Sequence, residues 1–160
     1  MKFEGTLIVV QDMERSKKFY GNLLDQKIQM DLGANVAYEG FALMDFERWQ
    51  DFLEKKEDEF GFSKNNVSEL YFETEDYDAF VEKLNNYNEF EVETVHKTKE
   101  FPWGQRVIRF YDPDNHMIEV GESMDVVIKR FFSNGMSVED VSQRTGYPVE
   151  YVVDLKKRLL

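Results

Sequence analysis

Residues 109–122 read RFYDPDNHMIEVGE, and local chemistry makes this stretch a hairpin. Asp112, Pro113, Asp114 and Asn115 suit a type I turn: an aspartate that bonds back to the backbone, a proline with preset φ, and an asparagine tolerant of left-handed geometry. Before the turn, Val107, Arg109 and Tyr111 alternate with Arg106, Ile108 and Phe110. After it, Met117 and Glu119 alternate with Ile118 and Val120. Two strands are therefore predicted, and Glu119 is an acid on a strand that is otherwise apolar. An acid in that setting needs a partner or a task.

The same periodicities organise the rest of the chain. FEGTLIVVQD (3–12) predicts a strand and MERSKKFYGNLL (13–24) a helix, with Phe19, Tyr20, Leu23 and Leu24 at helical spacing. QKIQMDL (26–32), NVAYEG (35–40) and FALMDF (41–46) predict three strands separated by turn residues. WQDFLEKKEDEF (49–60) reads as an acidic helix, packed on its module through Phe46, Trp49 and Phe52, and GFSKNN (61–66) as a polar linker. The order then repeats: SELYFETED (68–76) a strand, YDAFVEKLNN (77–86) a helix, and EVETVHKTKE (91–100), QRVIRFY (105–111) and MIEVGE (117–122) three strands. A displacement of 64 residues lays GTLIVVQD on ELYFETED, Asp12 on Asp76 and Tyr20 on Leu84. A lone βαβββ sheet leaves an edge and a face uncovered, so the expected fold is α+β: two modules, 1–62 and 66–122, paired in a curved half-open mixed sheet with a cleft between them.

Beyond residue 122 the periodicity is helical. DVVIKRFFSNG (125–135), SVEDVSQRTG (137–146) and PVEYVVDLKKRLL (148–160) predict a three-helix appendage over 123–160, with Ser137 and Asp140 as a capping box and Gly135 and Gly146 at helix stops.

Composition narrows the function. With 42% hydrophobic and 15% aromatic residues among 160, the chain is expected to bury a sizeable core. The net charge of −12 opposes binding to a phosphate backbone and favours cationic or neutral partners. There is no cysteine, which excludes disulfides and thiolate metal sites. The opening MKFEGTLIVVQDMERSKK lacks a signal peptide's long apolar core, and no run is long enough to span a membrane, so a cytoplasmic location is expected, with neither nucleic acid nor membrane as a partner.

Three motifs, LIVVQDMERSKKFYGNLL, ELYFETEDYDAFVEKL and PWGQRVIRFYDPDNHMIEV, resemble the vicinal-oxygen-chelate superfamily of glyoxalase I, extradiol dioxygenases, fosfomycin-resistance enzymes and bleomycin-resistance proteins. The likeness covers residues 1–122, and the third motif is the specific one. It implies an eight-stranded half-open barrel around a ligand cavity, often completed by dimerisation. Metal-dependent members place ligands at positions that correspond here to Gly5, Glu69 and Glu119. Glycine has no ligand to offer, and FALMDF presents apolar Leu43 and Met44 where a fourth would be sought. A divalent site needs more donors than two carboxylates, so no cofactor is expected, with Glu69 and Glu119 the candidates should a metal bind.

The family register sends Val107, Arg109 and Tyr111 inward, toward Glu119. Arg109 would then pair with Glu119 or Glu69 and neutralise a vacated metal site. Alternatively these groups grip a small molecule, or one carboxylate, Glu69 or Glu119, serves as a general base. Tyr71 and Glu73 share the face of Glu69 by strand period. Trp103 either stacks on an aromatic ligand or caps the core. The expected ligand-binding set is thus Glu69, Tyr71, Trp103, Val107, Arg109, Tyr111 and Glu119. His96 and His116 each lack a second histidine at ligand spacing and are expected to face solvent.

GMSVEDVSQRTGYPVEYVVDLKK is similar to small helical repeats of DNA-binding proteins, yet residues 123–160 hold six basic and five acidic side chains, and Glu150 and Asp154 stand where phosphates need cations. Val149, Val152, Val153 and Leu159 form an apolar stripe, expected to cover a sheet edge or a dimer interface. The leading expectation is a metal-independent binder of a small molecule, cationic or aromatic, acting as a homodimer and comparable to bleomycin-resistance proteins. A glyoxalase-like lyase or isomerase using Glu69 and Glu119 with a divalent metal, and a regulatory module acting through the tail, are the alternatives.

Overall fold

The computed structural model describes residues 1–64 and 66–159. Asn65 of the expected linker, and Leu160 and the Leu159 side chain of the last helix, lie outside the described residues. The chain forms two compact units, one of Met1–Ser68, Asn86–Val92 and Tyr111–Met117, the other of Glu69–Asn85, Glu93–Phe110 and Ile118–Leu160.

The first unit contains β1 (Thr6–Val10), α1 (Met13–Lys18), β2 (Met30–Asp31), β3 (Asn35–Ala37), β4 (Phe41–Asp45) and α2 (Phe46–Leu53). Its sheet runs in the order β1-β4-β3-β2, with β1 and β4 parallel. Asp12 starts α1 by accepting the Arg15 N–H at 2.9 Å. After Lys18 the helix widens into a π turn, Phe19–Leu23, and that extra width brings Phe19, Tyr20 and Leu23 all to 0% exposure. The strand expected over 26–32 shrinks to Met30–Asp31, because Ile28, Met30 and Leu32 sit exposed at the sheet's edge and no core face specifies them. The acidic helix begins earlier than its sequence pattern implied, at Phe46, where Asp45 caps the Arg48 N–H. It ends at Leu53, since Glu54 turns left-handed and every residue from 51 to 59 is exposed, leaving nothing to anchor further turns. Phe52 is exposed rather than packed; Phe46 carries the contact, edge-on to Phe60 and Phe62 at 5.3 and 4.9 Å.

The turn at 112–115 also belongs to this unit. Asp112 Oδ1 accepts the N–H groups of Asp114 and His116 at 2.9 and 2.8 Å, and Asn115 takes φ 68°. These are the roles that turn chemistry assigns them.

The second unit holds β5 (Leu70–Thr74), α3 (Tyr77–Asn86), β6 (Thr94–Glu100), most of β7 (Arg106–Tyr111) and β8 (Met117–Glu122), and α4 (Met124–Ser133), α5 (Val138–Thr145) and α6 (Val149–Leu159). The sheet order is β5-β8-β7-β6, with β5 and β8 parallel, matching the pairing in the first unit. Thr6 to Leu70 and Met13 to Tyr77 are both displacements of 64, and Asp76 caps α3 through the Ala79 N–H at 3.0 Å as Asp12 caps α1. The duplicated βαβββ order of an α+β fold is thus present. Phe80 of α3 stacks on Phe110 of β7 at 6.2 Å, closing one face of this sheet.

The three tail helices build a core of their own from Val127, Ile128, Phe131, Phe132, Val141, Val152 and Leu155. This corrects the stripe expected to face a partner: Val152 is buried with Leu155 in that core, while Val149 is 44% exposed. Ser137 and Asp140 form the capping box. Glu122 joins the tail to the sheet, taking Arg106 of β7 at 3.1 Å and Arg130 of α4 at 3.2 Å. Among the described residues, no helix is long and apolar enough to cross a membrane.

Candidate ligand-binding site

All six residues of β8 are buried, Glu119 among them at 7% exposure. The parallel register sets Tyr71 of β5 beside Glu119, so the face opposite α3 carries Glu69, Tyr71, Glu73 and Glu119 together. Arg109 of β7 reaches this face. Its Nη2 contacts Glu119 Oε2, and its Nε donates to Glu69 Oε2 at 2.8 Å. One guanidinium therefore joins both carboxylates, where the family register implies a pairing with one or the other. His96 stands nearby, Nε2 at 3.5 Å from Arg109 Nη1, so it is half-buried rather than solvent-facing.

A second group continues along the same face. Phe101 lies under Arg109, 5.6 Å from guanidinium carbon to ring centre, and stacks on Trp103 at 4.7 Å. Trp103 Nε1 donates to Gln105 Oε1 at 3.0 Å, and Gln105 Nε2 donates to the Tyr71 hydroxyl at 2.8 Å and the Glu122 carbonyl at 2.9 Å. Gln105 is 5% exposed; both amide N–H groups and the carbonyl oxygen are engaged, anchoring it to β8 and orienting Trp103 and Tyr71. Gly121 leaves the necessary space: a Cβ there would come within 2.7 Å of Gln105 Nε2. Tyr71 donates in turn to Glu73 at 2.6 Å; burial first, then that carboxylate, pushes its pKa up to about 12 and keeps the phenol protonated.

Tyr71, Glu73, Trp103 and Gln105 line an open cavity of about 300 Å³, whose remaining wall is Met124, Thr145 and Tyr147 from the tail. Every one of these residues belongs to the second unit. Of the sequence-selected residues, Tyr71 and Trp103 meet here, and Glu69, Arg109 and Glu119 meet further along the face. Val107 is 1% exposed and offers no open surface. Tyr111 is engaged in the first unit, donating to Asn66 at 2.5 Å with Lys64 over its ring. Gln105 was missed although the alternation that selects 107, 109 and 111 includes it. Tyr147 had no signal in sequence, because only the docking of the tail brings it to the sheet.

Set beside known proteins, this chain matches the sequence profile described as glyoxalase-like domain over residues 3–125. The chain belongs to the glyoxalase-like family. A protein of unknown function from Agrobacterium tumefaciens str. C58 is 38% identical, with a TM-score of 0.68 over 77% of this chain and 94% of that one. Lactoylglutathione lyase from Agrobacterium tumefaciens, at 16% identity, covers 77% of this chain and 94% of its own with a TM-score of 0.55. Fosfomycin resistance protein FosX from Listeria monocytogenes, also 16% identical, covers 77% and 93% with a TM-score of 0.55. At that identity the likeness is one of fold. No curated protein matches the sequence.

The positions that the family resemblance marks for metal donors are Gly5, Glu69 and Glu119, and the residues present there do not fit a metal. Gly5 has φ 150° and lies so close to Gly40 that a Cβ would sit 3.0 Å from its carbonyl oxygen, so the backbone itself opposes an imidazole at this position. Glu69 and Glu119 are both taken by Arg109. Among the described residues, no group of three or more His, Cys, Asp or Glu is arranged to hold an ion. No chemical step through a metal follows from this donor set.

Proposed function

We infer that this glyoxalase-like chain binds a small cationic aromatic molecule without a metal, in the cavity lined by Tyr71, Glu73, Trp103 and Tyr147. The observation that carries this reading is the spent amide of Gln105, which holds an indole and a phenol in fixed orientation around open space. Preorganised aromatic walls bind planar ligands with little loss of entropy, and their faces attract cations. Glu73 supplies the negative charge at the cavity, and the chain's overall charge of −12 draws cations toward it. Arg109 neutralises the buried Glu119 further along the face, so that Glu73 remains the carboxylate available to a ligand.

Calorimetric titration with 1-methylquinolinium tests this. Saturable binding is expected, weakened about tenfold or more by Trp103→Ala and by Glu73→Gln, in keeping with loss of a desolvated cation–π or charge contact of about 1–2 kcal/mol. Purified protein carrying a stoichiometric, tightly held divalent metal that is lost in Glu69→Ala and Glu119→Ala would overturn the reading.

A further inference from the structure

The first unit contains a cavity of its own, of about 300 Å³, walled by Leu7, Trp49, Phe60 and Phe62 and bordered by Ser63 and His116. Its aromatic wall is fixed. Phe46 packs edge-on to both Phe60 and Phe62, and Asn115 Nδ2 donates to the Phe62 carbonyl at 2.6 Å, tying the 60–63 segment to the hairpin turn.

His116 is held as firmly. Its Nδ1 lies 2.8 Å from Asp112 Oδ2, and the Asp112 side chain is 0% exposed. The same carboxylate accepts the Tyr20 hydroxyl at 2.8 Å and the backbone N–H groups of Asp114 and His116. Shut off from water, Asp112 relies on the imidazole for its counter-charge. With Nδ1 committed, Nε2 is the ring's remaining polar atom at the cavity, and it has no hydrogen-bond partner among the described residues. Ser63 likewise brings an exposed hydroxyl without one. The other acid at the rim, Asp114, is satisfied by the Gln11 backbone and side chain, Arg15 and Ser16. An aromatic slot thus ends in two uncommitted donors beside a fully compensated carboxylate.

We propose that this cavity is a separate small-molecule site for a flat aromatic acid, its ring lying among Trp49, Phe60 and Phe62 and its carboxylate accepting from His116 Nε2 and the Ser63 hydroxyl. The site is independent of the cation-binding cavity, and its ligand is of opposite charge. His116 is held protonated to higher pH than a free imidazole: burial works against the charge, but the hydrogen bond it donates to Asp112 and the charges of Asp112 and Asp114 outweigh it. The charged and titratable groups around it are Asp112 and Asp114, with Tyr20 on the first and Arg15 on the second.

The chain has two tryptophans, so a Trp103→Phe variant leaves Trp49 as the sole indole reporter. Titration of that variant with 2-naphthoate is expected to quench Trp49 saturably. Affinity is expected to fall tenfold or more with His116→Gln added and about threefold with Ser63→Ala added. It is also expected to fall as pH rises through the His116 titration, while naphthoate, a carboxylate with a pKa of about 4, stays ionised. Circular dichroism of each variant checks that the fold is kept, and the exposed Ser63 provides a variant that spares the Asp112 contact. The neutral analogue 2-naphthalenemethanol is expected to bind more weakly and without pH dependence. Unsaturable quenching, or equal naphthoate affinity in the parent and in folded His116→Gln and Ser63→Ala variants, would sink the proposal. Equal binding of the alcohol at every pH would remove the carboxylate from it.

Discussion

His116 couples its charge state to folding. Its pKa is raised in the folded chain, so protonation stabilises the native state. The sign follows directly: the contribution is complete below the unfolded value of about 6.5 and is lost as pH rises through the higher folded value. Urea denaturation at a series of pH values is therefore expected to show stability declining across that window, and His116→Gln to flatten the decline. Arg109 is the other decisive side chain. Removing it leaves Glu119, 7% exposed, without its cation. Arg109→Ala is expected to cost about 3 kcal/mol at neutral pH, read by urea denaturation. An unchanged denaturation midpoint in that variant would mean that the ion pair does not hold the strands.

Between elements, the loop 101–105 fits closely against α4. Gly104 has φ 88°, and a Cβ there would stand 2.2 Å from the end of the Phe131 ring. Arg130 donates to the Gly104 carbonyl at 2.7 Å from the same helix. Gly104→Ala combines left-handed strain with a collision against a core residue, and a loss of about 2–4 kcal/mol is expected by thermal or urea melting. Because this loop carries Trp103, methylquinolinium binding is expected to weaken with it. Nothing local in the sequence announced that Phe131, 27 residues later, packs over the glycine. The helix cap at Ser137 was legible because a cap and its target N–H are three residues apart, a spacing that the Asp12 and Asp76 caps share. The edge strand at 26–32 and the end of α2 were misjudged for the converse reason: apolar spacing was present, but no buried face used it.

Across the whole chain, the tail completes the second unit. It supplies Met124, Thr145 and Tyr147 to the cavity wall and Arg130 to the buried Glu122. A chain ending at Ser123 is expected to bind methylquinolinium at least tenfold more weakly and to melt at lower temperature, read by calorimetry. Undiminished affinity would mean that the sheet face alone holds the ligand. The tail's near-neutral charge gave no reason to expect nucleic acid as its partner, and its apolar stripe left open what it would cover. The duplicated strand and helix order, the hairpin turn and the caps follow from the amino-acid sequence alone, because each is decided by residues within a few positions of one another. Which carboxylates Arg109 joins, how Gln105 aims Trp103 and Tyr71, and where Tyr147 and His116 come to stand were decided only by tertiary structure. The Arg109–Glu69 and Gln105–Tyr71 contacts link residues 40 and 34 positions apart, and only strand register and helix docking bring such pairs within hydrogen-bond reach.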